Sequence, residues 1–165
     1  MSYSPITIRP FAEADMDRVQ DIRAAAFKPV FGSFRDLLGD SIAAVVYAGA
    51  EAEQADHLDQ VCDPDSRFHI CVATVDDRVA GFCSWSVNSK SKVGQIGLNA
   101  VHPHDSGQGI GTALYNHALG QMKEAGMLAV TVGTGGDASH APARRAYQKA
   151  GFAKAIPSLL YCQRL

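Results

Sequence analysis

The stretch Val93 to Leu114, VGQIGLNAVHPHDSGQGIGTAL, sets an apolar strand-like run and a proline-containing turn ahead of Gly107, Gly109 and Gly111, which open a helical pattern. Glycine lets the backbone bend tightly and come close to a ligand. The first turn of a helix presents N–H groups without intrahelical partners at the positive end of its dipole. Together these elements make an anion cradle suited to a phosphorylated ligand.

The rest of the chain reads as alternating elements around that cradle. Ile6 to Arg9 alternates apolar and polar side chains as a half-buried strand does, and Pro10 closes it. A helix starting near Glu13 to Asp15 sets Met16, Val19, Ile22 and Ala26 on one face, and is expected to stop before Lys28-Pro29, because the residue ahead of proline avoids helical geometry. Residues 34 to 62 read as helical pieces with breaks near Gly39 and Gly49, and Asp63-Pro64-Asp65 marks a turn. Phe68 to Val75 and Arg78 to Val87 form an expected antiparallel hairpin across Asp76-Asp77, followed by a strand over Val93 to Val101. After the glycines come a helix through Ala125 stopped by Gly126 and a short buried strand over Leu128 to Val132. A helix over Ala141 to Ala150 with Pro142 in its first turn and Gly151 past its end, and a closing strand over Ser158 to Arg164, complete the chain. Hairpin strands first, then strand-helix-strand-helix-strand, give an α+β or mixed α/β sheet with helices on both faces.

At 165 residues, 47% of them hydrophobic, the chain fits one domain over 1–165 with a substantial core. A formal net charge of −2 and the lack of a basic run interleaved with aromatics argue against a nucleic-acid partner. No apolar run approaches the roughly 20 residues needed to cross a bilayer, so no membrane partner is expected. The segment MSYSPITIRPF lacks the pattern of a leader. Cys62, Cys71, Cys83 and Cys162 show no CxxC spacing and read as reduced thiols, consistent with a cytoplasmic location. His57, His69 and His117 fall on different elements without ligand spacing, so no metal site is expected.

What the cradle holds is narrowed by its rivals. No GK followed by Ser or Thr comes after the glycines, so nothing reaches a β/γ-phosphate or holds magnesium. The glycines do not match GxGxxG, and Leu128 to Val132 carries no acid for a ribose. What remains is a pyrophosphate held almost wholly by backbone N–H groups. The segment NAVHPHDSGQGIGTAL resembles the acyl-CoA-binding motif of the GNAT superfamily of N-acetyltransferases, whose pattern is Gln or Arg, two residues, Gly, one residue, Gly or Ala. Here it falls on Ser106, Gly107, Gln108, Gly109, Ile110 and Gly111. The block HAPARRAYQKAGF, His140 to Phe152, is similar to the family's C-terminal helix of Asn, two residues, Ala, three residues, Tyr, then Gly-Phe. Ser106 stands where Arg or Gln is usual, and His140 where Asn is usual.

The resemblance implies a GNAT-like mixed, mostly antiparallel twisted sheet of six to seven strands, splayed between strands 4 and 5, with acetyl-CoA as cofactor and an amine as acceptor. Asn99, Ala100 and Val101 would pair with the pantetheine arm, and Ser106, Gly107, Gln108, Gly109, Ile110, Gly111 and Thr112 would hold the pyrophosphate, with His140 and Tyr147 also touching the cofactor. A backbone N–H near Asn99 to Val101 would stabilise the oxyanion formed on attack. Tyr147 falls on the family's tyrosine, expected to protonate the departing thiolate as general acid.

The family's usual strand glutamate is absent, since Gln95 occupies the nearby position. Candidate bases are Asp137 and His140 in the TGGDASH loop, and His102 or His104 in the turn before the cradle; imidazole exchanges a proton near neutral pH. Arg144 or Arg145 is available to the 3'-phosphate. Phe27, Phe31 and Phe34, read as loop residues, either line an acceptor pocket or anchor the loop on the core. The implied reaction is acetyl transfer to a primary amine of a small molecule or protein in a ternary complex, with a non-catalytic acyl-CoA-binding sensor or interaction module as the alternative. Family members often pair through C-terminal strands, which leaves a homodimer open.

Overall fold

The computed structural model describes residues 5–165. Its sheet is built from β1 (Thr7–Pro10), β2 (His69–Val75), β3 (Arg78–Asn88), β4 (Val93–Val101) and β5 (Ala129–Val132), which lie side by side in chain order. The first four pair antiparallel and β5 joins β4 in parallel. The helices are α1 (Met16–Leu38), α2 (Asp40–Val46), α3 (Ala50–Cys62), α4 (Ile110–Glu124) and α5 (Ala141–Lys149), with 3-10 turns at Glu13–Asp15, Pro103–Asp105 and Ala138–His140.

Strands β2 and β3 read as nearly continuous apolar runs because helices cover both faces of the sheet. On one face Val19, Ile22 and Leu58 pack on Val72 and Phe82; on the other Ile110, Leu114 and Met122 pack on Cys71, Cys83, Trp85 and Ile96. Burial lifts the Cys62 thiol to about 11 and the Cys71 thiol to about 12, and it raises Cys83 as well, so these three are inert core side chains at neutral pH. The hairpin turn needs positive φ at both central residues, and Asp76 and Asp77 supply 49° and 60°.

Two irregularities in β4 open the sheet. Pairing with β5 covers only Val93 to Ile96, so among the described residues the stretch from Gly97 to Val101 has no partner strand on that side. Against β3 the register runs Cys83 to Asn99 but Trp85 to Ile96, one extra residue on β4 next to the last β5 rung. Ser84 donates to the Leu98 carbonyl at 2.9 Å, and a Cβ on Gly97 would stand 2.7 Å from that hydroxyl. The bulge and the end of β5 pairing coincide, and together they make the splay between strands 4 and 5.

Three expectations need correction. Helix α1 does not stop before Lys28-Pro29 but runs through Pro29 to Leu38. Burial of Val19, Ile22 and Val30 along one face outweighs the roughly 3 kcal/mol cost of an interior proline. Phe27, Phe31 and Phe34 are therefore helical. Second, the described sheet has five strands rather than six to seven, because Ser158 to Arg164 forms none. A strand needs a hydrogen-bonding edge as well as an apolar pattern; this tail leads toward α2, where Arg164 Nη1 reaches the Ser41 carbonyl at 3.4 Å. Third, β5 is a half-exposed edge strand, not a buried one. The reading of the N-terminal segment as leaderless draws partly on residues 1–4, which lie outside the described residues. No described helix is long and apolar enough to cross a membrane.

Ion pairs fix the turns around the site. Arg78 donates to both oxygens of buried Asp105 at 2.9 and 2.6 Å, tying the β4–α4 turn to the hairpin, and Arg9 grips Asp15 at 2.7 and 2.8 Å. Hydrogen bonds from these guanidinium groups hold both carboxyls below the usual range despite burial. A carboxyl depressed in the folded state stabilises it above the unfolded pKa, and that contribution is lost as pH falls through the folded value. The melting temperature should therefore start to drop below about pH 4. In Arg78→Met, unpaired Asp105 should cost roughly 1–3 kcal/mol and the acid dependence should weaken; an acid limb identical to the parent's in thermal melts would refute the assignment.

Candidate active site

The splay opens into a cleft of about 1060 Å³, walled by β4, the glycine turn, the first turn of α4, α5 and the middle of α1. At its phosphate end Gly107 and Gly109 adopt φ of 79° and 86°, a region that L side chains rarely enter, and a Cβ on either would point into open space. Gly109 is the N-cap of α4 and no side chain caps that helix, so its first N–H groups are without a side-chain partner where the helix start lines the cleft. Ser106, Gly107, Gly109, Ile110, Gly111 and Thr112 all line it, whereas Gln108 does not. Arg145 and Lys149, one turn apart on exposed positions of α5, add two cations to the same cleft. An uncapped helix start with glycines and two cations fits a pyrophosphate-bearing coenzyme. Asn99, Ala100 and Val101 line the adjoining wall, on the part of β4 that β5 leaves unpaired.

Tyr147 is 6% exposed and reaches the cleft from α5. Asn99 holds it: the amide Nδ2 donates to the Tyr147 hydroxyl at 3.2 Å, while Tyr115 donates to Asn99 Oδ1 at 2.7 Å. The two tyrosine rings lie 4.7 Å apart. The Tyr147 hydroxyl is only 3.4 Å from Asn99 Oδ1, so its proton is weakly engaged. Burial raises both phenols; hydrogen bonds from Asn99 and Tyr115 partly offset this at Tyr147, and Tyr115 is driven far above the phenol range. Tyr147 thus stays protonated at neutral pH. Tyr115 was missed by sequence reasoning because its position reads as one more apolar site on the buried face of α4.

The loop before α5 brings the two expected bases together. His140 Nδ1 lies 2.6 Å from Asp137 Oδ1, and the other carboxylate oxygen accepts from the Ser33 hydroxyl at 3.0 Å, from the Ser139 N–H at 3.1 Å and from the Ser139 hydroxyl. Burial opposes the charge on Asp137, but hydrogen bonds from Ser139, His140 and Ser33 outweigh it and hold the carboxyl well below the usual range. Nδ1 is anchored in this way, and His140 lines the cleft. One face of the ring packs on Phe34, 6.1 Å between centroids, and Phe34 stacks on Tyr47 at 4.7 Å. Arg144 Nη1 donates to the Gly135 and Asp137 carbonyls at 2.6 and 2.7 Å, so it clamps this loop, and it does not line the cleft. Gly135 leaves room for this pair: a Cβ would stand 2.4 Å from His140 Nδ1 and 2.5 Å from Asp137 Oδ1, so one of the two side chains would have to shift. His102 and His104 pack on each other, 4.8 Å between rings, and neither lines the cleft. Gln95 lines it without acid-base capacity.

A family model described as the acetyltransferase (GNAT) family matches residues 33–152. Among solved structures, the PaiA N-acetyltransferase of Thermoplasma acidophilum in complex with coenzyme A superposes with a TM-score of 0.69 at 14% identity, covering 93% of both chains. The ribosomal-protein-S18-alanine N-acetyltransferase of Escherichia coli gives 0.65 at 19%, over 92% of this chain and 80% of that one. An aminoglycoside acetyltransferase from an uncultured soil metagenomic sample, in complex with sisomicin, gives 0.61 at 20%, over 97% and 96%. At these identities the likeness establishes a shared fold. A comparison with curated protein sequences finds no match.

Proposed function

The chain belongs to the GNAT acetyltransferase family and uses acetyl-CoA, and from that premise we propose that it acts as a single catalytic domain transferring acetyl to a primary amine by direct attack within a ternary complex. The carrying observation is that His140, anchored by Asp137, and Tyr147 seven residues on both face the cleft from one side of α5. Bound acetyl-CoA supplies a thioester whose C–S bond breaks as the acceptor nitrogen bonds to the acyl carbon, the displaced electron pair leaving on sulfur. His140 Nε2 takes the proton that the nitrogen sheds, with Asp137 fixing the ring through Nδ1. Tyr147 directs its weakly engaged hydroxyl at the sulfur and delivers a proton there. Unpaired N–H groups of β4 between Gly97 and Val101 are suited to hold the carbonyl oxygen as charge builds on it. Ser106, Gly107, Gly109, Ile110, Gly111 and Thr112 hold the pyrophosphate.

Initial velocities with acetyl-CoA and amine varied together, followed by thiol release, test the kinetic order. Intersecting lines are expected; parallel lines would overturn direct attack. Tyr147→Phe should lower kcat by about 10- to 100-fold while the Kd for CoA by calorimetry stays within about twofold. Unchanged turnover would remove the acid role.

We also propose that the protein works as a homodimer in a reducing, cytoplasmic setting. Among the described residues the outer edge of β5 has no pairing strand, a hollow of about 350 Å³ lined by Leu119, Met127 and Leu128 adjoins it, and Ile156, Leu159, Leu160 and Tyr161 of the tail are each more than 70% exposed. Truncation after Lys154 should convert a dimer to a monomer in sedimentation; a parent protein that sediments as a monomer at high micromolar concentration would refute this. The three inert core thiols support the reducing setting.

A further inference from the structure

Building on the acetyl-transfer reading above, we propose that the acceptor is a primary amine on a compact apolar, preferably aromatic, body that carries no second positive charge. The half of the cleft beside His140 is walled by Ala26, Phe27, Pro29 and Val30 of α1, facing Leu98 of β4. This wall exists because α1 continues through Pro29 instead of ending before it. Phe27 is the aromatic side chain of this wall, and Phe34, outside the lining, packs on the His140 ring and on Tyr47 and braces the imidazole from behind.

The electrostatics point the same way. Among the described residues lining the cleft the only carboxylate is Asp105, and both of its oxygens are taken by Arg78. Asp137, next to the cleft, is committed to Ser33, Ser139 and His140. The cleft's free charges are cationic, Arg145 and Lys149. A polyamine or aminoglycoside brings several ammonium groups that need carboxylate partners, and each left unpaired in a desolvated cleft is costly. A single amine that surrenders its proton to His140 meets no such penalty, and its apolar body gains by leaving water. Bond changes are those given above: N–C forms, C–S breaks, one proton goes to His140 and one to sulfur.

The test uses the full chain with acetyl-CoA and three acceptors, 2-phenylethylamine, spermidine and an alanine-initiated tripeptide amide, read by thiol release and product mass. The kcat/KM for 2-phenylethylamine should exceed that for spermidine by roughly 100-fold. Pro29→Glu, which sets a carboxylate on the exposed turn of the α1 wall and restores a helix-compatible residue, should shrink that ratio by about tenfold or more. Preference for spermidine or for the tripeptide would overturn the acceptor assignment while leaving the acetyl-transfer reading intact, and an unchanged ratio in Pro29→Glu would remove α1 as the discriminating wall. Tight CoA binding with no acceptor acetylated would instead overturn the acetyl-transfer reading itself.

Discussion

Replacing His140 by alanine should lower kcat by roughly 10²- to 10⁴-fold, the range expected when a positioned base is lost. The Kd for CoA should move little, because the proposed pyrophosphate cradle is at the start of α4, on a different element from His140. Two further variants separate base chemistry from folding. Asp137→Asn keeps the size of the side chain but loses the carboxylate that anchors Nδ1, so kcat should fall with a smaller effect on the KM for acetyl-CoA. Gly135→Ala leaves every polar group in the protein present, yet its methyl would crowd His140 Nδ1 and Asp137 Oδ1 at 2.4 and 2.5 Å and push the pair apart. It should reproduce much of the His140→Ala defect in kcat with no loss of α5 helicity by circular dichroism. A His140→Ala enzyme that turns over within about twofold of the parent would refute the assignment, since general bases contribute far more than that.

Gly109→Val should weaken CoA binding by about 100-fold or more. At φ of 86° an L residue is strained by roughly 1–2 kcal/mol, and a β-branched one by more. The backbone must then either keep the strain or relax and turn its N–H groups away from the phosphates. The added side chain also points into the space that the ligand needs, because nothing of the protein lies within 4 Å of that Cβ position. Gly120→Ala is the matched control: it lies within the same helix, also has open space around its Cβ position and carries no positive φ. It should gain roughly 0.5–1 kcal/mol of stability and bind CoA as the parent does. Equal affinities for the parent and Gly109→Val in calorimetry would remove the main-chain cradle as the source of binding.

The parts of the fold set by local rules were legible. Asp76-Asp77 announced a tight hairpin and has two positive φ values; β4 runs over the residues its apolar pattern marked; Gly126 and Gly151 end the last two helices in left-handed conformation. The site was half legible. Asp137 and His140 each stood out as a candidate base, but their partnership comes from a single 3-10 turn, and Ser33, which steadies Asp137, lies 104 residues away in sequence. Tyr115 gave no signal, because a tyrosine at helical spacing among apolar residues reads as packing. Pro29 misled because the local penalty of proline was weighed without the burial that α1 gains on either side of it. The tail misled in the opposite direction, since its apolar composition was taken for a strand without asking which edge would receive it.

The short β4–β5 ladder bears on how the free protein differs from its loaded form. Where β5 departs after Ile96, the amides of β4 that face the gap are open to solvent in the middle of the molecule, unlike those locked against β3. In deuterium-labelling experiments the segment from Gly97 to Val101 should take up label at alternate positions within seconds to minutes. An extended coenzyme arm lying in the gap should then slow that uptake as an added strand would, so the coenzyme's footprint becomes readable in the absence of any acceptor.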